Sequence, residues 1–283
     1  MQKPDYNESV RHVCYLLDGS RTFAMINGVR YEDIDRYAYE SGAEALKNLM
    51  SMTFDELHIP FLSVALSTRS NRGREASMKV LTRLIIPFFC EKWIDYFVKN
   101  RIRVRFVGDL ELFCSVADDQ KGLNDAIKRL EYDTRAFTDY YLIVMIAYDS
   151  RQEYLKLIRS QSLSADIKSL IDNYYGFNVP DVDLLIRSWR PRLSACIPIL
   201  VGEYADIYLF PAPFQCFDMV PYKKIISDYS KRLKSKGGSF IYTREDVEQI
   251  KMQGNRIKRS STEPLLLGTT AGNAWLPMSD VDE

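Results

Sequence analysis

The residues of this chain best suited to chemistry lie at 16–23, in the segment LLDGSRTF. The apolar run that leads into this segment predicts a β-strand, and Asp18 and Gly19 follow where the strand would turn into a helix. Ser20 and Arg21 come next, at the predicted start of that helix. A carboxylate, the free backbone N–H groups of a helix start and an arginine at one place could together hold a diphosphate with Mg²⁺.

Charged residues also follow the later predicted strands. Arg72 and Arg74 follow the second strand, Asp109 the third, Arg151 the fourth and Arg187 the fifth. Strand-like runs alternate with helix-like runs, which predicts a mostly parallel sheet covered by helices on both faces. Because ligands of such sheets bind beyond the carboxyl ends of the strands, we expect these charges to meet at one site.

The composition limits the possible functions. The 283 residues include 38 Lys+Arg and 38 Asp+Glu, so no net charge attracts nucleic acid or an anionic membrane. No apolar run reaches the ~18 residues of a transmembrane segment, and the first residues lack the apolar core of a signal peptide. The five cysteines form no CxxC motif and the two histidines are far apart, so we expect a reduced, cytoplasmic protein.

Three motifs occur in the order found in the cis-prenyltransferase family, which includes undecaprenyl diphosphate synthase. They are DGSR at 18–21, RFVGD at 105–109, and DLLIR at 183–187 followed by RLS at 192–194. The resemblance implies an α/β fold with a parallel sheet of about six strands flanked by helices and an apolar tunnel. It also implies a prenyl diphosphate substrate, Mg²⁺ as cofactor and a homodimer. The sequence pattern changes after residue 236, so we expect a catalytic domain at 1–236 and a C-terminal extension at 237–283 that packs on it.

The resemblance also assigns site residues. Asp18 matches the family's aspartate that holds magnesium and the allylic diphosphate, and Asp206 falls where the family usually has a second metal-binding acid, a glutamate. The residues expected to bind the substrate diphosphate are Gly19, Ser20, Arg21, Arg30, Arg72, Arg187, Arg192 and Ser194.

Other positions depart from the chain-elongating members of the family. Their Asp-Gly-Asn motif ends here in Ser20, and their Ser-Thr/Ser-Glu-Asn segment reads STRS at 67–70. These changes remove an acid and an amide that orient and deprotonate the condensing substrates. The chain therefore resembles a diverged member, and chain elongation is kept as an alternative.

Two diverged branches fit these departures. DGSR, the YYG at 174–176 and the tail at 243–275 resemble diterpene synthases such as tuberculosinol and kolavelool synthase. This likeness implies that the chain ionises a bicyclic twenty-carbon allylic diphosphate, such as kolavenyl or tuberculosinyl diphosphate, and captures water to form a terpene alcohol. Tyr37 matches a tyrosine that positions the water in that branch. Segments 27–29 and 70–75 resemble instead the lavandulyl-type synthases, which join two five-carbon units, and this is the alternative reading.

Overall fold

The structure is a computed structural model that describes residues 10–69, 75–159, 166–193, 197–202, 204–236, 245, 248, 251–252, 268–271 and 274–277. Its centre is a six-stranded sheet in which every neighbouring pair of strands is parallel. The strands are β1 (His12–Leu16), β2 (Phe61–Ala65), β3 (Ile102–Gly108), β4 (Tyr140–Ile146), β5 (Leu184–Ser188) and β6 (Asp206–Phe210). The predicted α/β fold with about six parallel strands is therefore confirmed.

Helices connect the strands and cover the sheet. They are α1 (Ser20–Ile26), α2 (Ile34–Met50), α3 (Glu75–Ile85), α4 (Ile94–Lys99), α5 (Leu110–Cys114), α6 (Gln120–Thr134), α7 (Ser150–Arg159) and α8 (Ile167–Tyr175). A further helix, α9 (Met219–Lys236), follows β6 along the chain. All five residues of β1, β2 and β5 are buried, as expected for strands that lie between two layers of helices.

Two predicted helices are interrupted. The sequence predicts one helix over 76–100, whereas α3 ends at Ile85 and a π-helical segment, Ile86–Lys92, separates it from α4. Pro87 explains the break, because proline has no N–H to donate to the preceding turn. The helix predicted over 152–174 is divided into α7 and α8.

The strand order places a crevice beside β1. The order is β3-β4-β2-β1-β5-β6, so the connection from β1 leads to one side of the sheet and β5 lies on the other. Such a switch point leaves a gap at the carboxyl ends of the two central strands, where parallel α/β sheets bind their ligands. The residues that follow β1 and those at the end of β5 are therefore the first place to look for a site.

Gly108 closes β3 in a conformation that other residues rarely adopt. Its φ is 114°, and a Cβ added there would lie 2.0 Å from the carbonyl oxygen of Ile146 on β4. We expect Gly108→Ala to lower the free energy of unfolding by at least about 3 kcal/mol, measured as a shift in the urea midpoint. Gly28→Ala is the matched control, because Gly28 also has a positive φ of 71° but has nothing within 4 Å of the added Cβ. That control is expected to cost about 1 kcal/mol, and equal losses in the two variants would refute the steric explanation.

His12 is a buried polar group in the middle of the sheet. Its Nε2 lies 2.7 Å from Ser63 Oγ on β2 and its Nδ1 lies 2.9 Å from the carbonyl oxygen of Pro180. Burial lowers the pKa of His12 from 6.5 to about 4. Between pH 6.5 and about 4, His12 is therefore protonated in the unfolded chain but neutral in the folded chain. We expect His12 to lower the free energy of unfolding by about 3 kcal/mol between pH 6.5 and 4. Urea titrations over this pH range should show a smaller decrease for the His12→Gln variant.

The chain divides into two compact units, Met1–Ile226 and Ser227–Glu283. In the second unit, β7 (Gly268–Ala271) and β8 (Ala274–Pro277) form an antiparallel pair. The predicted packing of residues 237–283 on the body stays a prediction. Within the described ranges, none of the helices combines the length and apolar character needed to cross a membrane.

Candidate active site

An ion pair between Asp18 and Arg187 forms the centre of the candidate site. Asp18 follows the carboxyl end of β1, and Arg187 lies on β5 directly beside Leu16 of β1. Nη2 of Arg187 donates to Oδ2 of Asp18. The side chain of Arg187 is only 6% exposed and that of Asp18 is 35% exposed, so the carboxylate is the member of the pair that solutes can reach.

The backbone around Asp18 is held on several sides. Its N–H donates to Ser188 Oγ at 3.0 Å, and its carbonyl oxygen accepts from the N–H of Phe214 at 3.0 Å. Gly19 has a φ of 89°, and a Cβ there would lie 2.8 Å from the Cα of Pro213. Only glycine fits this close approach, and it lets the chain turn directly into α1.

The turn after β5 keeps Arg187 in place. Trp189 has a φ of 67°, which is strained for a bulky side chain, and its N–H donates to the carbonyl oxygens of Phe210 and Ala212 at 2.7 and 3.1 Å. The carbonyl oxygen of Arg190 then accepts from Arg187 Nε at 3.2 Å and from the N–H of Arg192 at 2.7 Å. Arg187 and Arg192 therefore share one acceptor, the carbonyl oxygen of Arg190, and the side chain of Arg192 is exposed.

A cavity of about 80 Å³ opens beside the ion pair. Leu17 and Ser20, which flank Asp18 and Gly19, line it, and so does Phe214. The remaining described lining residues are Ala38, Tyr39, Gly42, Ala43, Leu46, Leu66, Leu81, Leu84, Ile85, Phe88, Phe89 and Trp93. None of these described lining residues carries a charge. The site thus combines a charged pair with an adjoining apolar, partly aromatic space.

The π-helical segment shapes one wall of the cavity. The N–H of Trp93 donates to the carbonyl oxygen of Phe88 at 2.9 Å, a bond that spans five residues. It brings the two rings to 5.5 Å between centroids, and Phe89 lies 4.7 Å from Trp93. In a regular α-helix, residues five apart would lie about 140° apart around the axis. The π-helical turn therefore gathers three aromatic side chains on one wall.

Tyr37 is not among the described residues that line this cavity, and its expected role stays a prediction. The cavity is lined from α2 by Ala38, Tyr39, Gly42, Ala43 and Leu46. With 3.6 residues per turn, Tyr37 points to the other side of the helix, where it is 37% exposed and stacks on Phe23 at 6.4 Å. The tyrosine that reaches the cavity is Tyr39.

The other predicted arginines differ in their surroundings. Arg21 Nε lies 2.7 Å from Asp35 Oδ1 and so connects α1 with α2. Arg30 is 76% exposed, and its Nη2 lies 2.8 Å from Asp33 Oδ2. The ion pairs of these two arginines join them to carboxylates other than Asp18. Arg72 and Ser194 lie outside the described residues, so their expected roles stay predictions.

Asp206 lies at the opposite edge of the sheet from Asp18. It is the first residue of β6 and pairs with Leu184, the first residue of β5, whereas Asp18 donates its N–H to Ser188 at the end of β5. Four strand residues separate those levels, a distance of about 13 Å. One chain therefore does not bring Asp206 to Asp18, and the expectation that the two acids share a metal is not supported by this arrangement.

Several residues of the site carried no motif signal in the sequence. Phe88, Phe89 and Trp93 line the cavity but read as ordinary apolar helix positions, and Tyr39 and Phe214 line it without a role assigned from the sequence. Pro87 inside an apolar helical pattern was the available signal, because a proline there predicts a local break. Ser188, which fixes the backbone of Asp18, has no comparable signal.

Sequence comparisons place these features in a family. Residues 16–237 match the prenyltransferase family model described as putative undecaprenyl diphosphate synthase. The isoprenyl transferase of Helicobacter pylori strain J99 is 25% identical over 244 residues, covering 82% of this chain and 98% of the relative. The isoprenyl transferase of Helicobacter hepaticus is 26% identical over 249 residues, covering 83% and 99%.

Solved structures share the fold. Lavandulyl diphosphate synthase from Lavandula x intermedia, solved with dimethylallyl diphosphate, superposes with a TM-score of 0.66 at 20% identity, covering 78% of this chain and 95% of that one. A probable undecaprenyl diphosphate synthase from Campylobacter jejuni gives a TM-score of 0.59 at 20% identity, covering 81% and 96%. The match over residues 16–237 shows that this chain is an enzyme of the cis-prenyltransferase family.

Proposed function

We propose that this enzyme ionises a short allylic prenyl diphosphate and transfers the prenyl group to a second prenyl unit. One observation carries the proposal: the Asp18–Arg187 pair stands beside a cavity whose described lining residues carry no charge. A prenyl diphosphate has the complementary form, with an anionic head and an apolar chain. The membership in a family whose relatives are isoprenyl transferases supports transfer as the reaction.

The size of the cavity supports a short chain. Its volume of about 80 Å³ is below the ~300–1,000 Å³ typical of pockets for drug-sized ligands. Phe88, Phe89 and Trp93 limit it on one side. We expect a five-carbon chain to fit this space better than a bicyclic twenty-carbon one, and the relatives are isoprenyl transferases, so we rank prenyl coupling above diterpene alcohol synthesis.

Mg²⁺ fits the site through Asp18. No group of three or more His, Cys, Asp or Glu side chains among the described residues could hold a metal by itself. Protein-bound Mg²⁺ often takes one or two carboxylates and completes its shell with substrate phosphates and water. The partly exposed Asp18 carboxylate provides such a ligand, and Asp206 is left out of the proposed metal site. When bound, the ion would neutralise charge on the diphosphate.

The protein's own groups support the departure of the diphosphate. Arg187 offers a buried cation, and the first N–H groups of α1 lack acceptors within that helix. Stabilising the negative charge of the leaving group lowers the barrier to ionisation. The faces of Phe88, Phe89 and Trp93 can stabilise the allylic cation that remains, while the apolar walls exclude water.

A diterpene synthase is the second candidate. Tyr39 favours it, because this tyrosine lines the cavity. Its hydroxyl could hold a water molecule, the role that the sequence assigned to Tyr37. The YYG at 174–176 does not favour it, since Tyr175 is buried in the core and Gly176, with a φ of 79°, ends α8.

The family resemblance also leads us to propose a homodimer. On the edge strand β6, Ile207 and Leu209 are exposed, and α7 exposes Tyr154, Leu155 and Ile158. Apolar side chains grouped on an edge strand and on one helix are suited to contact with a second copy of the chain. Light scattering after size-exclusion chromatography should give twice the 32.9 kDa mass of the chain, and a single-chain mass would oppose the proposal.

Product analysis tests the proposed function directly. Purified protein with Mg²⁺ receives dimethylallyl diphosphate alone, farnesyl plus isopentenyl diphosphate, geranylgeranyl diphosphate, or a bicyclic diterpenyl diphosphate, followed by gas chromatography–mass spectrometry. A ten-carbon diphosphate from dimethylallyl diphosphate alone is the expected result. A terpene alcohol from the bicyclic substrate would favour the second candidate, longer linear chains would indicate elongation, and no turnover of any substrate would contradict the proposal.

A further inference from the structure

Asp18 and Arg187 are engaged with each other in the structure. The proposed function assigns Asp18 to Mg²⁺ and Arg187 to the substrate diphosphate, yet Arg187 Nη2 donates to Asp18 Oδ2. The Gly19 N–H also donates to Asp18 Oδ1 at 2.8 Å, so a metal on Asp18 and a phosphate on Arg187 both compete with contacts that these side chains already make. This competition has an energetic consequence that depends on how deeply the two side chains are buried.

Removing only one partner from the pair is unfavourable. If Mg²⁺ alone occupies Asp18, the guanidinium of Arg187, 6% exposed, loses its carboxylate and stays desolvated. If a diphosphate alone occupies Arg187, the Asp18 carboxylate faces a second anion without a cation between them. When both ligands arrive, Arg187 meets the phosphate oxygens and Asp18 meets the metal, so every charge is compensated.

The surrounding contacts confine this exchange to side chains. The backbone of Asp18 is fixed by Ser188 and Phe214. Arg187 Nε donates to the carbonyl oxygen of Arg190, which holds the guanidinium at the end of β5. Asp18 and Arg187 therefore remain next to each other when one of them binds a ligand.

We infer that the Asp18–Arg187 ion pair couples the two ligands, so that Mg²⁺ and diphosphate bind strongly together and weakly one at a time. The inference rests on the proposed function, which assigns the two ligands to this pair. The coupling makes the site respond to the metal–diphosphate combination and disfavours either component alone. Linkage requires the effect to be reciprocal.

Two titrations test the inference through gains of binding. Isothermal calorimetry with Mg²⁺ alone should show tighter binding to Arg187→Gln than to the native protein, because Asp18 is released from its partner. Inorganic pyrophosphate without metal should bind more tightly to Asp18→Asn than to the native protein, because the negative charge that pairs with Arg187 is gone. We expect gains of about 10-fold, within the range of about 5–150-fold common for coupled sites. If each residue only contacted its own ligand, neither variant would gain affinity.

Control variants make the outcome specific. Arg105→Gln removes an arginine from another strand, where it pairs with Glu131 at 3.1 Å, and should leave Mg²⁺ affinity unchanged. Arg187→Lys keeps the positive charge beside Asp18, so its affinity for Mg²⁺ alone should be nearly as low as that of the native protein. Far-UV circular dichroism verifies folding, and if one variant is unfolded the other titration still decides.

The results separate this inference from the proposed function. The gain in pyrophosphate affinity on adding Mg²⁺ should be at least about 10-fold larger in the native protein than in Arg187→Gln, because direct contact between Mg²⁺ and pyrophosphate contributes to both. Equal affinities in all conditions, or no gain in the folded variant, would overturn the coupling while leaving the proposed site intact. If the native protein bound neither ligand even in combination, the proposed function would fail along with the inference.

Discussion

Asp18→Asn is expected to lower turnover of the allylic diphosphate by at least about 10²–10³-fold, the usual cost of losing one group that stabilises developing charge. The amide keeps the shape of the side chain but loses the negative charge that fits Mg²⁺. The backbone contacts of Asp18 to Ser188 and Phe214 do not involve the carboxylate and should persist, whereas the buried Arg187 loses its counter-charge, so we also expect a lower stability. Initial rates at saturating Mg²⁺, with circular dichroism for folding, measure the effect.

Asp118→Asn is the matched control for this prediction. Asp118 is an exposed acid that pairs with Lys79 and Arg83, apart from the cavity residues. We expect its turnover to stay near the native value. Full activity in a folded Asp18→Asn variant would show that Asp18 is not a catalytic residue.

Phe88→Ala should change which donor the enzyme prefers. Phe88 is half-buried and lines the cavity beside Phe89 and Trp93, so its truncation extends the apolar space without emptying the core. We expect kcat/KM for geranyl diphosphate relative to dimethylallyl diphosphate to rise by about 10-fold or more, since each methylene accommodated in an apolar pocket is worth about 10–200-fold. Competition between the two donors gives this ratio directly.

A second half-buried phenylalanine serves as control. Phe177 packs on Tyr141 at 4.6 Å between ring centroids and is not among the cavity residues. Phe177→Ala should lower stability without altering the donor ratio. A Phe88→Ala enzyme with the native ratio would mean that this wall does not limit the length of the donor.

The sequence predicted the sheet better than the helices. Five buried residues in a row mark β1 and β2, and such runs are recognisable because strands covered on both faces admit few polar side chains. The helix predicted over 76–100 was wrong in its middle, where Pro87 introduces a π-helical segment. The sequence shows the proline, but which hydrogen bonds replace the lost one depends on packing around Trp93.

The site was predictable where residues sit at strand ends, and less so on helices. Asp18 and Arg187 meet because parallel strands bring their carboxyl ends to one edge of the sheet. Tyr37 is not among the described residues that line the cavity, because one step along a helix turns a side chain by about 100°. Asp206 was aligned by motif order, although it lies directly before the apolar run at 207–210 and therefore at the amino end of β6, away from Asp18.

A crystal structure of the protein with Mg²⁺ and a non-ionising thio analogue of dimethylallyl diphosphate would show directly whether Asp18 and Arg187 hold the metal and the substrate. We expect the diphosphate to contact Arg187 at the start of α1, the metal to bind Asp18, and the five-carbon chain to face Phe88 and Trp93. An analogue bound elsewhere, with the Asp18–Arg187 pair unbroken, would contradict this expectation.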